Sequence, residues 1–143
     1  MGNVNPARKL AHASLVSTLA KNKYVNLEVQ SALSRCNLEG PDKGLYSAIV
    51  YGCIERLITL DFIISSLSSR PVSEIDDSTL CAIRIGICQM AFMDKIPAHA
   101  AVDESVELAP KKSRGFVNAI LRFTAEVAHE KLAQILGHGI IHA

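Results

Sequence analysis

Residues 78–93, STLCAIRIGICQMAFM, constrain the fold more than any other segment of this chain. They are apolar on nearly every side of a helix, and a helix of that kind is buried among other helices. We therefore predict a central helix that begins at an Asp76 or Asp77 cap and ends near Met93. The same pattern indicates that most of this helix is not exposed to solvent.

Arg84 is the one charged residue inside this apolar helix. A charge at that depth needs a partner, because an unpaired buried charge is costly. We predict a buried ion pair between Arg84 and Glu104, which lies on the next helix, with Asp103 and Glu107 as alternative acids. Contact between Arg84 and a bound phosphate is the weaker interpretation.

Helical periodicity dominates the rest of the chain, and the alternation typical of strands is missing. Apolar residues make up 49% of the 143 residues and aromatic residues only 5%, which favours a helical bundle with an aliphatic core. We predict an all-α fold, a single compact domain of six to seven helices over residues 1–136, followed by a tail or linker start at 137–143. The predicted helices are 6–21, 26–36, a long region from the Gly40-Pro41-Asp42 break to Ser69, 76–93, 97–109 and 113–136.

Motifs of catalysis and metal binding are missing from the sequence. It has no glycine-rich nucleotide loop, no zinc-type spacing of Cys or His, and no nucleophile elbow. We therefore predict no catalytic residue, no metal and no cofactor in this chain. Its four cysteines read as free thiols in a reducing cytoplasm, and no apolar stretch is long enough to span a membrane.

Local basic clusters are the best candidates for a binding site, since the net charge is only +1. The first 24 residues contain four Lys or Arg residues and no carboxylate, and a second cluster precedes the last helix. Such patches neutralise phosphates, although a merely solvated surface has the same pattern. The candidate RNA-binding residues are Arg8, Lys9, His12, Lys111, Lys112 and Arg114.

The order of short motifs from residue 6 to residue 125 resembles the NusB superfamily. The motifs are Leu45–Gly52, Leu60-Asp61, Arg70-Pro71, Ile83–Gly86, Ile96-Pro97, Glu104, Gly115–Asn118 and Leu121-Arg122. The resemblance implies two three-helix halves packed into one domain and a role in binding RNA. Basic residues near the amino terminus, where such domains meet RNA, support the Arg8, Lys9 and His12 assignment.

Two branches of that superfamily compete. One contains free-standing antitermination factors that bind boxA RNA and a ribosomal protein. The other contains the N-terminal domains of Sun/RsmB-type methyltransferases, which modify cytosine in small-subunit ribosomal RNA. Tyr51-Gly52, Gln89, Pro97–Val102 and Leu121-Arg122 resemble the second branch, whereas Asp103 stands where both branches usually have Asn.

The methyltransferase branch implies that this chain is a non-catalytic RNA-binding domain. S-adenosylmethionine would then bind only in a C-terminal domain outside this sequence. The expected partners are ribosomal RNA and either that catalytic domain or a ribosomal protein, and a homodimer is compatible with the helical faces. A structural bundle without an RNA role is the third alternative.

Overall fold

A computed structural model describes residues 4–21 and 24–137, with the side chains of the last helix described as far as Glu126. Within these residues the chain forms seven α-helices and no β-strand, so the all-α prediction is confirmed. The helices are α1 (Pro6–Lys21), α2 (Val25–Arg35), α3 (Gly40–Glu55), α4 (Leu57–Leu67), α5 (Asp77–Phe92), α6 (Ala98–Leu108) and α7 (Arg114–Gly137). Short 3₁₀ turns at Val72–Glu74 and Lys111–Ser113 precede α5 and α7. Of the predicted tail, residues 138–143 lie outside the described part.

The helix α5 is the centre of the molecule, as its apolar sequence predicts. Every residue from Thr79 to Gln89 is buried, and α1, α3, α4, α6 and α7 all pack against this helix. The first half of the domain consists of α1, α2 and α3, and the second consists of α4 to α7. At Gly86 the helices α5 and α7 approach closely, because a Cβ atom there would lie 2.7 Å from the methyl carbons of Leu121.

The predicted cap at the start of α5 is confirmed at Asp76. The Asp76 carboxylate accepts hydrogen bonds from the backbone N–H and the hydroxyl of Thr79, at 3.1 and 2.8 Å, and so caps α5. The predicted long region up to Ser69 is wrong, because it divides into α3 and α4 at Arg56. The guanidinium of Arg56 stacks over the ring of Phe92, 4.3 Å from its centroid, which holds the break against the end of α5.

The predicted pair between Arg84 and Glu104 is also wrong, although Arg84 is buried as expected. Its Nε and Nη2 atoms donate to the two carboxylate oxygens of Asp61 on α4, both at 2.9 Å. Such a bidentate pair satisfies the planar guanidinium fork. Glu104 instead pairs with Arg8, because α6 meets α1 on a different side of α5.

We expect removal of Asp61 to lower the unfolding free energy more than removal of Arg84. Asp61→Asn leaves Arg84 without its charge partner at a side chain only 9% exposed, so unfolding free energy should fall by about 3–5 kcal/mol. Arg84→Met should cost less, because the stranded Asp61 is 29% exposed and water reaches it. Urea denaturation measures both variants.

A double-mutant cycle tests the choice of partner. Asp61→Asn and Arg84→Met should be strongly non-additive, whereas Glu104→Gln and Arg84→Met should add within about 0.5 kcal/mol. Strong coupling between Arg84 and Glu104 would contradict the observed pairing.

Candidate nucleic-acid interface

Arg8 is not available to a phosphate, contrary to the sequence-based prediction. It is only 6% exposed and points towards α5 and α6. Its Nε donates to Gln89 Oε1 at 2.6 Å, and its Nη1 lies 2.8 Å from Glu104 Oε2. The positive charge is therefore neutralised inside the domain, and Arg8 fastens α1 to the central helix.

The N-terminal end of α1 is likewise occupied by side chains of the domain itself and is not free to bind a phosphate. The side-chain oxygen of Asn5 accepts a hydrogen bond from the backbone N–H of Ala7 at 2.7 Å, as an N-cap does. The backbone N–H of Asn5 donates to Glu104 Oε1, also at 2.7 Å. The carboxylate of Glu104 thus lies at the positive end of the helix, where the sequence argument expected a phosphate.

His12 lies one turn further along α1 and is half-buried. Its Nε2 lies 2.9 Å from the carbonyl oxygen of Ser78, which can only accept, so Nε2 carries the proton. Burial lowers the pKa of His12, and the hydrogen bond to Ser78 opposes that effect only in part. His12 is therefore neutral at pH 7 and does not supply the positive charge predicted for it.

Lys9 is the member of the first cluster that remains on the surface. Its side chain is exposed and borders an open groove of about 380 Å³ between α1 and the segment that joins α2 to α3. The groove is also lined by Pro6, Leu10, Ala13, Cys36, Asn37 and Leu38. Lys21 is exposed as well, at the end of α1, and Lys23 lies outside the described residues.

The second cluster divides into two surface lysines and one structural arginine. Lys111 and Lys112 are exposed on the 3₁₀ turn before α7. Arg114 is half-buried, and its guanidinium donates to the carbonyl oxygens of Glu107 and Ala109, each at 3.0 Å. Because those carbonyls end α6, Arg114 caps that helix. This capping role is a different one from the phosphate contact predicted for it.

A series of hydrogen bonds connects α1 with the turn that carries Lys111 and Lys112. His12 on α1 meets the Ser78 carbonyl, and the hydroxyl of the adjacent Thr79 lies 2.7 Å from that of Ser113, which directly follows Lys112. Lys9 lies one helical turn from His12. The fold therefore places His12 and the Lys111–Lys112 turn on either side of the start of α5, with Lys9 one turn before His12 on α1.

The sequence argument missed a further cation beside this turn. The guanidinium of Arg70 stacks 4.0 Å from the ring centroid of Phe116, near the start of α7. In the sequence, Arg70 stands out only as part of the Arg70-Pro71 motif. We call Arg70, Lys111, Lys112 and Phe116 the α7-start surface.

Acidic residues limit the positive potential of the α7-start surface. Glu74, Asp76 and Asp77 are exposed at the nearby start of α5. Burial alone would raise the pKa of the Asp76 carboxyl, but the hydrogen bonds from Thr79 hold that pKa below its ordinary value. Asp76 is thus charged and attracts Lys112. A phosphate there would have to contact the lysines from the side facing away from α5.

Comparison with known proteins places the chain in a family. The model of the NusB family matches residues 5–126. This chain belongs to the NusB family. The resemblance drawn from the sequence motifs is confirmed, together with the helical fold that it implied.

Curated relatives of this NusB-family chain have two kinds of name. A probable ribosomal RNA small subunit methyltransferase B from Synechocystis sp. is 32% identical over 81% of this chain but only 27% of that protein. The Bacillus subtilis protein of the same name is 31% identical over 80% of this chain and 26% of its own length. A transcription antitermination protein NusB from Halorhodospira halophila is 32% identical over 85% of this chain and 83% of that protein. The chain thus spans about a quarter of the methyltransferase relatives.

Solved structures share the fold. T. maritima NusB superposes with a TM-score of 0.75 at 18% identity and covers 92% of this chain and 99% of its own. A NusB chain from a crystal of antitermination factors NusB and NusE with dsRNA gives a TM-score of 0.76 at 17% identity, over 85% and 94%. At these identities the likeness concerns the NusB fold alone.

Within the described part of this NusB-family chain, no three His, Cys, Asp or Glu side chains converge as metal ligands would. None of the described helices combines the length and apolar character that a membrane crossing needs. Cys53, Cys81 and Cys88 are buried free thiols, and Cys36 is half-buried. Burial raises the pKa of the Cys81 thiol to about 11, so that thiol is protonated at neutral pH.

We expect Arg8 and Lys9 to differ sharply in stability measurements although they are neighbours in sequence. Arg8→Met strands the Glu104 carboxylate and the buried Gln89 amide, so unfolding free energy should fall by about 3 kcal/mol. Lys9→Met changes an exposed side chain and should stay within about 0.5 kcal/mol of wild type. Equal small effects in chemical denaturation would mean that Arg8 is a surface residue.

His12 should make stability depend on pH. Its pKa is lowered in the folded state, so the unfolded chain binds more protons, and unfolding free energy falls as pH drops below about 6.5. His12→Gln keeps a donor for the Ser78 carbonyl without titrating. Between pH 7 and pH 5 the wild type should therefore lose more stability than His12→Gln in urea titrations, and parallel losses would argue against a buried neutral His12.

Proposed function

We propose that this chain is the RNA-binding domain of a longer methyltransferase that acts on small-subunit ribosomal RNA. The observation that carries the proposal is the coverage: four fifths of the chain matches about a quarter of two ribosomal RNA methyltransferases at 31–32% identity. A segment that recurs as one part of a larger enzyme is typically a module with its own core. The continuous core around α5 fits that role.

The α7-start surface is the proposed place of RNA contact, and the exposed Lys9 is a further candidate contact on α1. Lys111 and Lys112 project from a tight turn whose backbone is fixed by the Ser113 hydrogen bonds to Thr79 and Pro110. Preformed cations of this kind bind phosphates without ordering a loop, and they release counterions when they do so. The ring of Phe116 and the guanidinium of Arg70 add a flat, polarisable surface next to the lysines.

Methyl transfer itself is proposed to occur outside this chain. S-adenosylmethionine and the reacting nucleotide would bind in the catalytic domain, while this domain holds a neighbouring part of the ribosomal RNA. The protonated, buried Cys81 thiol is unsuited to nucleophilic attack, which is consistent with a positioning role. We place the protein in the cytoplasm, where ribosomal RNA is modified in bacteria.

A free-standing antitermination factor is the second candidate. The Halorhodospira halophila relative supports it, because the match extends over 83% of that shorter protein. In that case a ribosomal protein, rather than a catalytic domain, would be the protein partner. The reading frame that encodes this chain separates the two candidates: a few hundred further codons with a cofactor motif favour the enzyme, and a stop codon soon after Ala143 favours the factor.

We expect Lys111→Ala with Lys112→Ala to weaken binding to a small-subunit ribosomal RNA fragment regardless of its exact sequence. Each lost phosphate contact lowers the slope of log affinity against log salt by about one, so the double variant should lose about two. Fluorescence anisotropy at several salt concentrations measures the slope. Folding should be unchanged, since both side chains are exposed.

Lys43→Ala with Lys95→Ala is the matched control, because these two lysines are also exposed but belong to neither basic cluster. The control should keep the wild-type slope. If both variants behave alike, RNA contacts lie elsewhere. A wild-type chain that fails to bind RNA at low salt would contradict the proposed RNA role.

A further inference from the structure

Large apolar side chains are exposed at two places in the described structure. Tyr24 and Leu27 lie at the start of α2. The other three are Ile58 and Phe62 on α4, exposed by 79% and 40%, and Phe123 on α7, exposed by 46%. Ile58 and Phe62 are one helical turn apart and so share a face of α4. Clustered exposed apolar residues of this kind mark interaction surfaces.

The packing of α4 against α7 brings Phe123 to the same face. The two helices are in contact, and Arg70, just beyond the end of α4, stacks on Phe116, near the start of α7. The helices therefore run antiparallel. Phe123 lies two residues beyond Leu121, which packs on Gly86 of α5, and Asp61 of α4 pairs with Arg84, two residues before Gly86. Phe123 therefore lies beside the part of α4 around Asp61, which carries Ile58 and Phe62. We call these three residues the α4–α7 apolar face.

Polar residues surround the α4–α7 apolar face, whereas the α7-start surface consists mainly of cations. Arg122, next to Phe123, forms an exposed pair with Asp103 on α6 at 3.6 Å. Ser65 and Glu126 are also exposed on the two helices. An apolar centre with a polar rim is the usual anatomy of a protein interface. It has little to offer a phosphate backbone.

The size of the face favours a tethered occupant. A large side chain offers about 150–250 Å², so the exposed fractions amount to roughly 300 Å². A stable complex of separate chains, including a symmetric dimer, needs about 800 Å² from each partner. Domains of one chain need less, because the linker holds them at an effective concentration in the millimolar range.

The course of α7 supports the same occupant. This helix continues from Phe123 to Gly137, so the chain leaves it about 21 Å from the apolar face. A domain that follows α7 is thereby tethered within reach of Ile58, Phe62 and Phe123.

We propose that the α4–α7 apolar face docks an apolar surface of the catalytic domain that follows α7 in the longer protein. The inference rests on the proposed function, since it requires such a domain. Docking buries Ile58, Phe62 and Phe123 and leaves Tyr24 and Leu27 in water. It also fixes the catalytic domain against α7 instead of leaving it on a free linker.

Hydroxyl-radical footprinting of the 143-residue chain and of the longer protein tests the inference directly. Oxidation of Phe62 and Phe123 should fall severalfold in the longer protein, while Tyr24 and Leu27 are oxidised equally in both. Unchanged oxidation of Phe62 and Phe123 would overturn the docking proposal and leave the RNA proposal intact. A reading frame that ends with this chain would overturn the docking proposal and the methyltransferase assignment together, without contradicting RNA binding by the α7-start surface.

Variants supply a second test. In the longer protein, Phe62→Ser with Phe123→Ser should restore the oxidation of Ile58 and split thermal unfolding into two independent transitions. Tyr24→Ser with Leu27→Ser is the matched control and should do neither. Protection of the α4–α7 apolar face in the 143-residue chain alone, rising with its concentration, would identify a second copy as the occupant and overturn the proposal.

Discussion

The burial of α5 from Thr79 to Gln89 is the constraint on which the rest of the domain depends. A buried polar group must find a partner, and α5 carries a guanidinium at Arg84 and an amide at Gln89. Asp61 supplies the first partner from α4 and Arg8 supplies the second from α1. Arg8 in turn needs the carboxylate of Glu104 on α6. Two surrounding helices, α1 and α4, are therefore fixed to the central one by polar contacts as well as by apolar packing, and α6 is joined to α1 through Glu104.

This network decides which basic residues are left for a ligand. The first 24 residues look like a phosphate-binding segment, yet their most central cation is used inside the fold, and the start of α1 is closed by Asn5 and Glu104. His12 is held neutral by burial. The cations of the two clusters that remain exposed are Lys9 and Lys21 on α1 and Lys111 and Lys112 before α7. Charge patterning in sequence therefore overestimates the basic surface of a helical domain.

The fold could be predicted from the sequence because it follows from local patterns. Apolar periodicity identifies the helices, and the uniform apolar character of α5 places it at the centre. Partner choice could not be predicted in the same way. Asp61 and Glu104 are both carboxylates near α5, and only the arrangement of α4 and α6 around it assigns Asp61 to Arg84. The break between α3 and α4 at Arg56 could not be predicted, because no glycine or proline marks it. RNA contact by Lys111 and Lys112 remains a prediction.

Both proposed surfaces include residues of α7, so this helix fixes the distance between them. Phe116 and the neighbouring Lys112 lie at the start of α7, Phe123 lies two turns further on, and the chain leaves at Gly137. A packed helix keeps its length, whereas a flexible linker samples many distances. RNA held at the α7-start surface and a catalytic domain held on the α4–α7 apolar face would therefore be separated by a distance that the helix sets. The domain would then orient the RNA relative to the catalytic domain, which a tethered RNA-binding module on a free linker would not do.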